Sequence, residues 1–233
     1  IMKLNTKFNY PKSIRAYYNG QRLYDIGAKK LPSVTTILSA TASEEKKASL
    51  ERWRNKVGRK EAEIITREAT NRGSSMHEYL EKFILGKLNL DLLGDNSLEK
   101  MMADQIIENG LRNSLQEVWG VEATLYYNGK NGQGYAGAAD CIGVYDNIET
   151  IIDFKNSNKP KKEEWIEDYL LQLAAYSLAH NTVHGSNITQ GVILLCTKDI
   201  MFQRFIINGD KLIDYQKRFL EKVEQYYSMK LNS

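Results

Sequence analysis

The stretch IIDFKNS, residues 151–157, sets an aspartate and a lysine two positions apart in an otherwise apolar run. The β-branched Ile151 and Ile152 favour a buried strand, and residues two apart on a strand point to the same face. Asp153 and Lys155 therefore project side by side at the edge of a core. A structural ion pair accounts for them, and so does a site that uses both charges. The sequence around them bears on the choice.

Working outward, GVEATLYYNG (120–129), YAGAADCIGVYD (135–146) and ETIIDFKNS (149–157) are three strand-like pieces separated by Asn/Gly/Asp turns, the pattern of an antiparallel meander. KKEEWIEDYLLQLAAYSLAHN (161–181) reads as an amphipathic helix, GVILLCT (191–197) and MFQRFIIN (201–208) as two strands, and residues 209–230 as a closing helix with Asp210 near its start. Upstream, Asn19-Gly20 within SIRAYYNGQRLYDIG (13–27) signals a β-hairpin. In LPSVTTIL (31–38), Ser33 suits a helix N-cap ahead of the apolar stripe Val34, Ile37 and Leu38. Residues 42–86 read as helical, with breaks expected near Gly58 and at Arg72-Gly73, and a further helix spans roughly 97–118. The order defines an α/β fold with a mixed central sheet flanked by helices, plus an N-terminal hairpin and helical elaboration. Residues 2–118 form the elaboration, which governs access to a site, and residues 119–233 the core, in one compact unit.

Composition narrows the classes. The 233 residues, 42% apolar and 26% charged, suit one globular core and exclude disordered and fibrous classes. No run approaches the ~18–20 apolar residues of a membrane helix, and IMKLNTKFNYPK carries no apolar signal core. The expected location is therefore cytoplasmic (the host cytoplasm for a phage-encoded chain), without secretion. Cys141 and Cys196 lie far apart in apolar stretches, which suits buried free thiols and excludes a zinc ribbon or iron–sulfur cluster. A net charge of +3 is too small to establish a nucleic-acid partner by itself. No GxxxxGK[ST], GxSxG or HExxH pattern occurs, and the glycines of GKNGQGYAGAAD (129–140) suit a turn between strands.

Carboxylates on strands are the better lead. In a meander, Asp140 and Asp153 converge on one point. Two close carboxylates repel, so a positive group belongs between them. Lys155 can serve; a hard divalent cation serves better and leaves the lysine free to orient a water and balance developing charge on a phosphoryl group. Glu122 on the preceding strand, and His77 and Glu81 one helical turn apart, are further candidate ligands.

Five segments, RGSSMHEYLE, GAAD, IIDFK, QLAAY and, upstream of them all, LPSVTTIL, carry a family resemblance. The middle three resemble the GxxD, hydrophobic-D-x-K and QxxxY elements of the PD-(D/E)xK nuclease superfamily in its RecB-like branch, and RGSSMHEYLE resembles that branch's histidine-bearing helix. LPSVTTIL is similar to the mitochondrial genome maintenance exonucleases and their phage-encoded relatives. The resemblance covers roughly residues 31–176. It implies a restriction-endonuclease-like core and Mg²⁺, with Mn²⁺ as substitute, on Asp140, Asp153 and the Phe154 carbonyl. It further implies His77 as an additional ligand or neighbour of the metal and Lys155 as catalytic lysine. Gln172 and Tyr176 would flank the site, contacting the DNA backbone or holding Lys155, and Ser157 would contact phosphate. Asn156 stands where relatives often carry threonine, and the four cysteines of the iron–sulfur branches are missing.

Each residue also has a plainer reading. His77 suits a satisfied interfacial histidine, Gln172 and Tyr176 the core and rim of a helix, Glu122 a surface position, and His180 a charge interacting with a helix C-terminus. Three Tyr-Tyr pairs invite base stacking, although alternation on a strand buries one ring of each. Trp53, with Arg52 beside it on a basic helix and Arg72 upstream of His77, is a better nucleic-acid contact. The combined reading is a metal-dependent exonuclease on DNA with a free, preferably single-stranded end. The alternatives are a flap-type endonuclease with the same site, a catalytically silent nucleic-acid-binding module, and an α/β domain with a merely structural Asp–Lys pair.

Overall fold

The structure is a computed structural model that describes residues 2–87 and 96–233. A short strand β1 (Lys3–Leu4) precedes a three-stranded antiparallel sheet of β2 (Ile14–Tyr18), β3 (Gln21–Ile26) and β4 (Lys29–Pro32). Asn19 and Gly20 both take positive φ, 49° and 78°, the geometry that matches a tight hairpin to strand twist. Helices α1 (Val34–Ala40), α2 (Glu44–Val57), α3 (Arg59–Ile84) and α4 (Leu98–Ile106) follow, the last continuing as a π-helical turn (Ile107–Leu111). Ser33 caps α1 by accepting the Thr36 amide at 3.0 Å.

The core sheet comprises β5 (Leu115–Tyr127), β6 (Tyr135–Tyr145), β7 (Ile148–Ser157), β8 (Gln190–Thr197) and β9 (Phe202–Asn208), with α5 (Glu167–His184) between β7 and β8 and α6 (Gly209–Leu231) closing the chain. Its order is β1-β5-β6-β7-β8-β9. β5, β6 and β7 form the antiparallel meander, while α5 returns the chain so that β8 lies parallel to β7. The architecture is thus mixed α/β, a six-stranded mixed sheet flanked by helices. One face carries α1, α5 and α6 over Ile142, Ile151, Ile193 and Ile207. The other carries α3 and α4 over Cys141, Ile152, Phe154 and Val192. Alternation along β7 thus divides its residues between the two layers. Both cysteines are buried and free. Among the described residues no helix is long and apolar enough to cross a membrane.

Three local expectations are corrected. The break at Arg72-Gly73 is absent, and α3 runs unbroken from Arg59 to Ile84. Gly73 is there for a close approach, since a Cβ would fall 2.6 Å from Asn156 Nδ2. The helix expected over 97–118 ends at Leu111, and β5 begins at Leu115. Leu115, Val118 and the π-turn residues join one core cluster, and pairing with β6 outweighs local helical periodicity. Finally, α5 is not amphipathic: ten residues around its circumference, Gln172, Tyr176 and His180 among them, are buried.

His180 shows what that burial means. Its Nδ1 lies 2.6 Å from Ser186 Oγ, which itself donates to Asn181 Oδ1, and its Nε2 lies 2.8 Å from Tyr10 Oη. The consistent arrangement is a neutral ring that donates from Nδ1 and accepts from Tyr10. The expected charge interaction with the helix end is therefore replaced by an uncharged contact, because burial pushes the imidazole pKa down to about 3. With an unfolded value near 6.5, the unfolded chain takes the proton first. Stability from this group is complete above pH 6.5 and falls as pH drops toward 3. Acidification from pH 7 to 5 is expected to cost about 2 kcal/mol, read as a falling melting temperature, and His180→Gln should flatten that slope.

Candidate active site

The site forms where the meander opens. Backbone pairing between β6 and β7 ends at Cys141↔Ile152, and beyond it Asp140 substitutes a side chain for the ladder: its Oδ2 accepts the Phe154 amide at 2.8 Å. Asp140 stands in register with Glu122 of β5, between the pairs Val121↔Cys141 and Ala123↔Ala139. Residues two apart on a regular strand share a face, yet Cys141 packs with the α3–α4 layer and Ala139 with the α5–α6 layer. Both strands therefore twist over at this pair. Glu122 takes φ 48°, uncommon for a residue with a side chain and costing of order 1–3 kcal/mol. The kink turns its carboxyl inward instead of into solvent.

Helix α3 supplies the third group. Met76 and Leu80 anchor it against the sheet, which brings His77 over β7. His77 Nε2 lies 2.7 Å from the Phe154 carbonyl oxygen and Nδ1 3.6 Å from Asp140 Oδ1. Ligand atoms of His77, Glu122 and Asp140 all lie within 4.8 Å of one another. The Phe154 carbonyl thus faces this cluster, occupied by the imidazole.

Asp153 and Lys155 project from β7 to the opposite side from Phe154, toward α5. Lys155 Nζ is 2.8 Å from Asp153 Oδ2 and donates to Gln172 Oε1 at 2.8 Å, and Gln172 Nε2 donates to Tyr176 Oη at 3.0 Å. The Tyr176 ring fills the space over Gly137, where a Cβ would come within 2.6 Å of it. Asp153 Oδ2 is buried in ion-pair range of the ammonium without a hydrogen bond of proper geometry.

Electrostatics matches this crowding. Burial pushes the Asp140 pKa well above the carboxylate range, Asp153 and Glu122 push it further, and Lys155 and the Phe154 amide only partly oppose them. Burial likewise raises Glu122, against the pull of Asp140, His77 and Arg15. Burial works against the Lys155 ammonium, but Asp153 and Asp140 outweigh it and hold the pKa above the usual lysine value. The lysine is charged at neutral pH and surrounded by an excess of carboxyl groups.

The other residues singled out from the sequence fall in different places. Arg72 and Trp53 line a cavity beside the site. Ser157 lines it too, but its hydroxyl closes a turn, donating to the Lys159 carbonyl at 2.6 Å. Arg52 is exposed on α2 and paired with Glu45 at 2.9 Å, away from that lining. Sequence reasoning missed Tyr169, whose ring centroid is 4.8 Å from Lys155 Nζ, and Asn156 and Asn158, which hold Arg72. It also missed Arg15 of the hairpin sheet, whose charge acts on Glu122. Periodicity could have placed Tyr169 on the Gln172 and Tyr176 face of α5, three and seven residues away.

Fold and site together define a class: an α/β protein with a buried, acid-rich cluster suited to a cation and a charged lysine suited to an anion beside it. The relatives are more particular. The chain is 26% identical over 212 residues to the human mitochondrial genome maintenance exonuclease 1, covering 87% of this chain and 60% of that protein. It is 25% identical over 210 residues to the Xenopus tropicalis protein of the same name, covering 86% and 58%. The chain thus spans about 60% of the length of the curated relatives it matches. A solved structure from Eubacterium rectale, described as a candidate exonuclease, superposes with a TM-score of 0.46 at 16% identity, over 69% of this chain and 66% of that one. No family model matches the sequence.

Proposed function

We propose that the protein is a metal-dependent deoxyribonuclease that hydrolyses DNA from free ends, with a preference for single strands. The observation that carries this reading is the convergence of His77, Glu122 and Asp140 from three separate elements beside the Asp153–Lys155 pair. The donors fit a hard divalent cation such as Mg²⁺, with Mn²⁺ as substitute: carboxylate oxygens and one imidazole, with a buried Asp153 oxygen that lacks a hydrogen bond. Asp140, Glu122, His77 and Asp153 would hold the ion. When bound, it would lower the pKa of a coordinated water and neutralise charge on a phosphoryl oxygen.

The chain's own groups do the rest. Lys155, kept protonated by its acidic neighbours, orients the attacking water and balances the negative charge that builds on the phosphoryl oxygens. Gln172, braced by Tyr176, restricts the ammonium to one direction. Water's oxygen bonds to phosphorus and releases one proton to solvent, the bond to the leaving deoxyribose oxygen breaks, and that oxygen takes up a proton from solvent. Action from an end draws its support from the relatives' names and from the three-stranded sheet, which docks beside the site through Ser33↔Ala136, next to Gly137.

End-labelled linear DNA and internally labelled circular DNA, single- and double-stranded, test the proposal with Mg²⁺ or EDTA. The expected result is loss of linear single strands in Mg²⁺ alone, with circles intact. Degradation in EDTA would overturn the metal dependence, and cutting of single-stranded circles would transfer the site to a flap-type endonuclease.

A further inference from the structure

The cavity next to the site has a volume of about 500 Å³, within the ~300–1,000 Å³ of small-ligand pockets. Two features of its lining call for a ligand. The first is Arg72, only 7% exposed, whose guanidinium is held by neutral amides: Nε donates to Asn156 Oδ1 at 3.3 Å and Nη2 to Asn158 Oδ1 at 2.5 Å. Among the described residues no carboxylate pairs with it. A buried cation whose partners are neutral keeps its charge uncompensated, and an anion entering the cavity relieves that. Lys159 and Lys161 on the same wall add to the positive potential.

The second feature is aromatic. Trp53 enters from α2, Trp165 from the 3₁₀ turn before α5, and Tyr169 from the first turns of α5. Trp165 is 60% exposed, a large apolar area left to water. Tyr169 is shared with the catalytic centre, since its ring also packs against the Lys155 ammonium. The cavity therefore opens one side chain away from where the reacting phosphate would sit.

We propose that this cavity is a subsite for one unpaired nucleotide of the substrate strand, its base stacked on Trp165 and Trp53 and its phosphate on Arg72. The proposal rests on the nuclease reading and adds to it a physical origin for strand preference. Within a duplex, base faces are covered by neighbouring bases except on the outer side of the terminal pairs, so along the strand it is the unpaired nucleotide that offers a face to a protein ring.

Binding without turnover provides the test. Labelled oligothymidylate and a fully paired duplex are titrated in EDTA against the wild type, Trp165→Ala and Trp165→Phe. Trp165 is exposed, so its truncation leaves the core intact. Stacking of this kind predicts that Trp165→Ala raises the Kd for oligothymidylate by roughly 5- to 150-fold, that Trp165→Phe restores most of it, and that duplex binding is unchanged. Thymidine 5′-monophosphate should displace the oligonucleotide at lower concentration than thymidine, and Arg72→Gln should erase the difference. An unaltered Kd in Trp165→Ala, an equal loss on single strand and duplex, or equal competition by nucleotide and nucleoside would overturn the subsite. Binding through Trp165 with no hydrolysis in Mg²⁺ would retain the subsite and defeat the nuclease reading. Full hydrolysis with no role for Trp165 would do the reverse.

Discussion

Asp140→Asn is expected to reduce Mg²⁺-dependent DNA hydrolysis on the order of 10³-fold while raising the melting temperature of the metal-free protein. Asparagine keeps an oxygen that can accept the Phe154 amide, so the bond that stands in for the β6–β7 ladder survives. What disappears is a buried charge that burial, Asp153 and Glu122 all disfavour. The sign follows from the raised pKa. The folded protein holds its proton to higher pH than the unfolded chain, so this group's stabilisation is present at low pH and is lost as pH rises above the ordinary aspartate value. At neutral pH the wild type therefore carries a cost that the variant lacks. Added Mg²⁺ should raise the wild-type melting temperature by linkage and leave the variant unchanged. A variant that keeps both its activity and its Mg²⁺ response would remove Asp140 from the metal site.

Lys155→Ala should impair hydrolysis about as severely, by roughly 10²–10³-fold, but with the opposite effect on the fold. It strips Asp153 of its counter-charge and leaves Gln172 Oε1 without its donor, both in a buried setting. Losing one partner of a buried ion pair typically costs ~3–5 kcal/mol. Because Lys155 is 21% exposed at its side chain, the lower end applies, about 3 kcal/mol. Mg²⁺ should recover part of this stability by neutralising Asp153 and should recover none of the activity. Recovery of both would make the lysine a structural counter-ion only; melting curves with and without Mg²⁺, beside single-strand hydrolysis rates, separate the cases.

The two variants differ because the site holds more negative charge than it can balance. That excess was partly readable in the sequence. The alternation of IIDFK puts Asp153 and Lys155 on one face of β7, and the turn residues between strands bring Asp140 to the same region. Less readable was the contribution of Glu122, which depends on a positive φ that nothing in GVEATLYY announces. Gly73 misled for a related reason: a glycine in a helical run suggests a break, whereas here it makes room for Asn156 from a strand more than eighty residues away. The end of α4 and the start of β5 were lost because residues 112–118 fit a helix locally, whereas 112–114 form a turn and 115–118 become strand through pairing with β6.

By itself, the sequence determined the elements whose periodicity is local: the Asn19-Gly20 hairpin, the Ser33 cap, the meander and the strand that holds Asp153 beside Lys155. Only the tertiary structure decided which side chains meet. His77 reaches Asp140 because Met76 and Leu80 seat α3 on the sheet; Gln172 reaches Lys155 because α5 is buried between β7 and α6; and Arg72 faces a cavity because two asparagines of the β7 exit hold it there. The physical reason is range. Backbone propensity and side-chain alternation act over a few residues, whereas burial, charge balance and close packing act between segments that the chain alone leaves far apart.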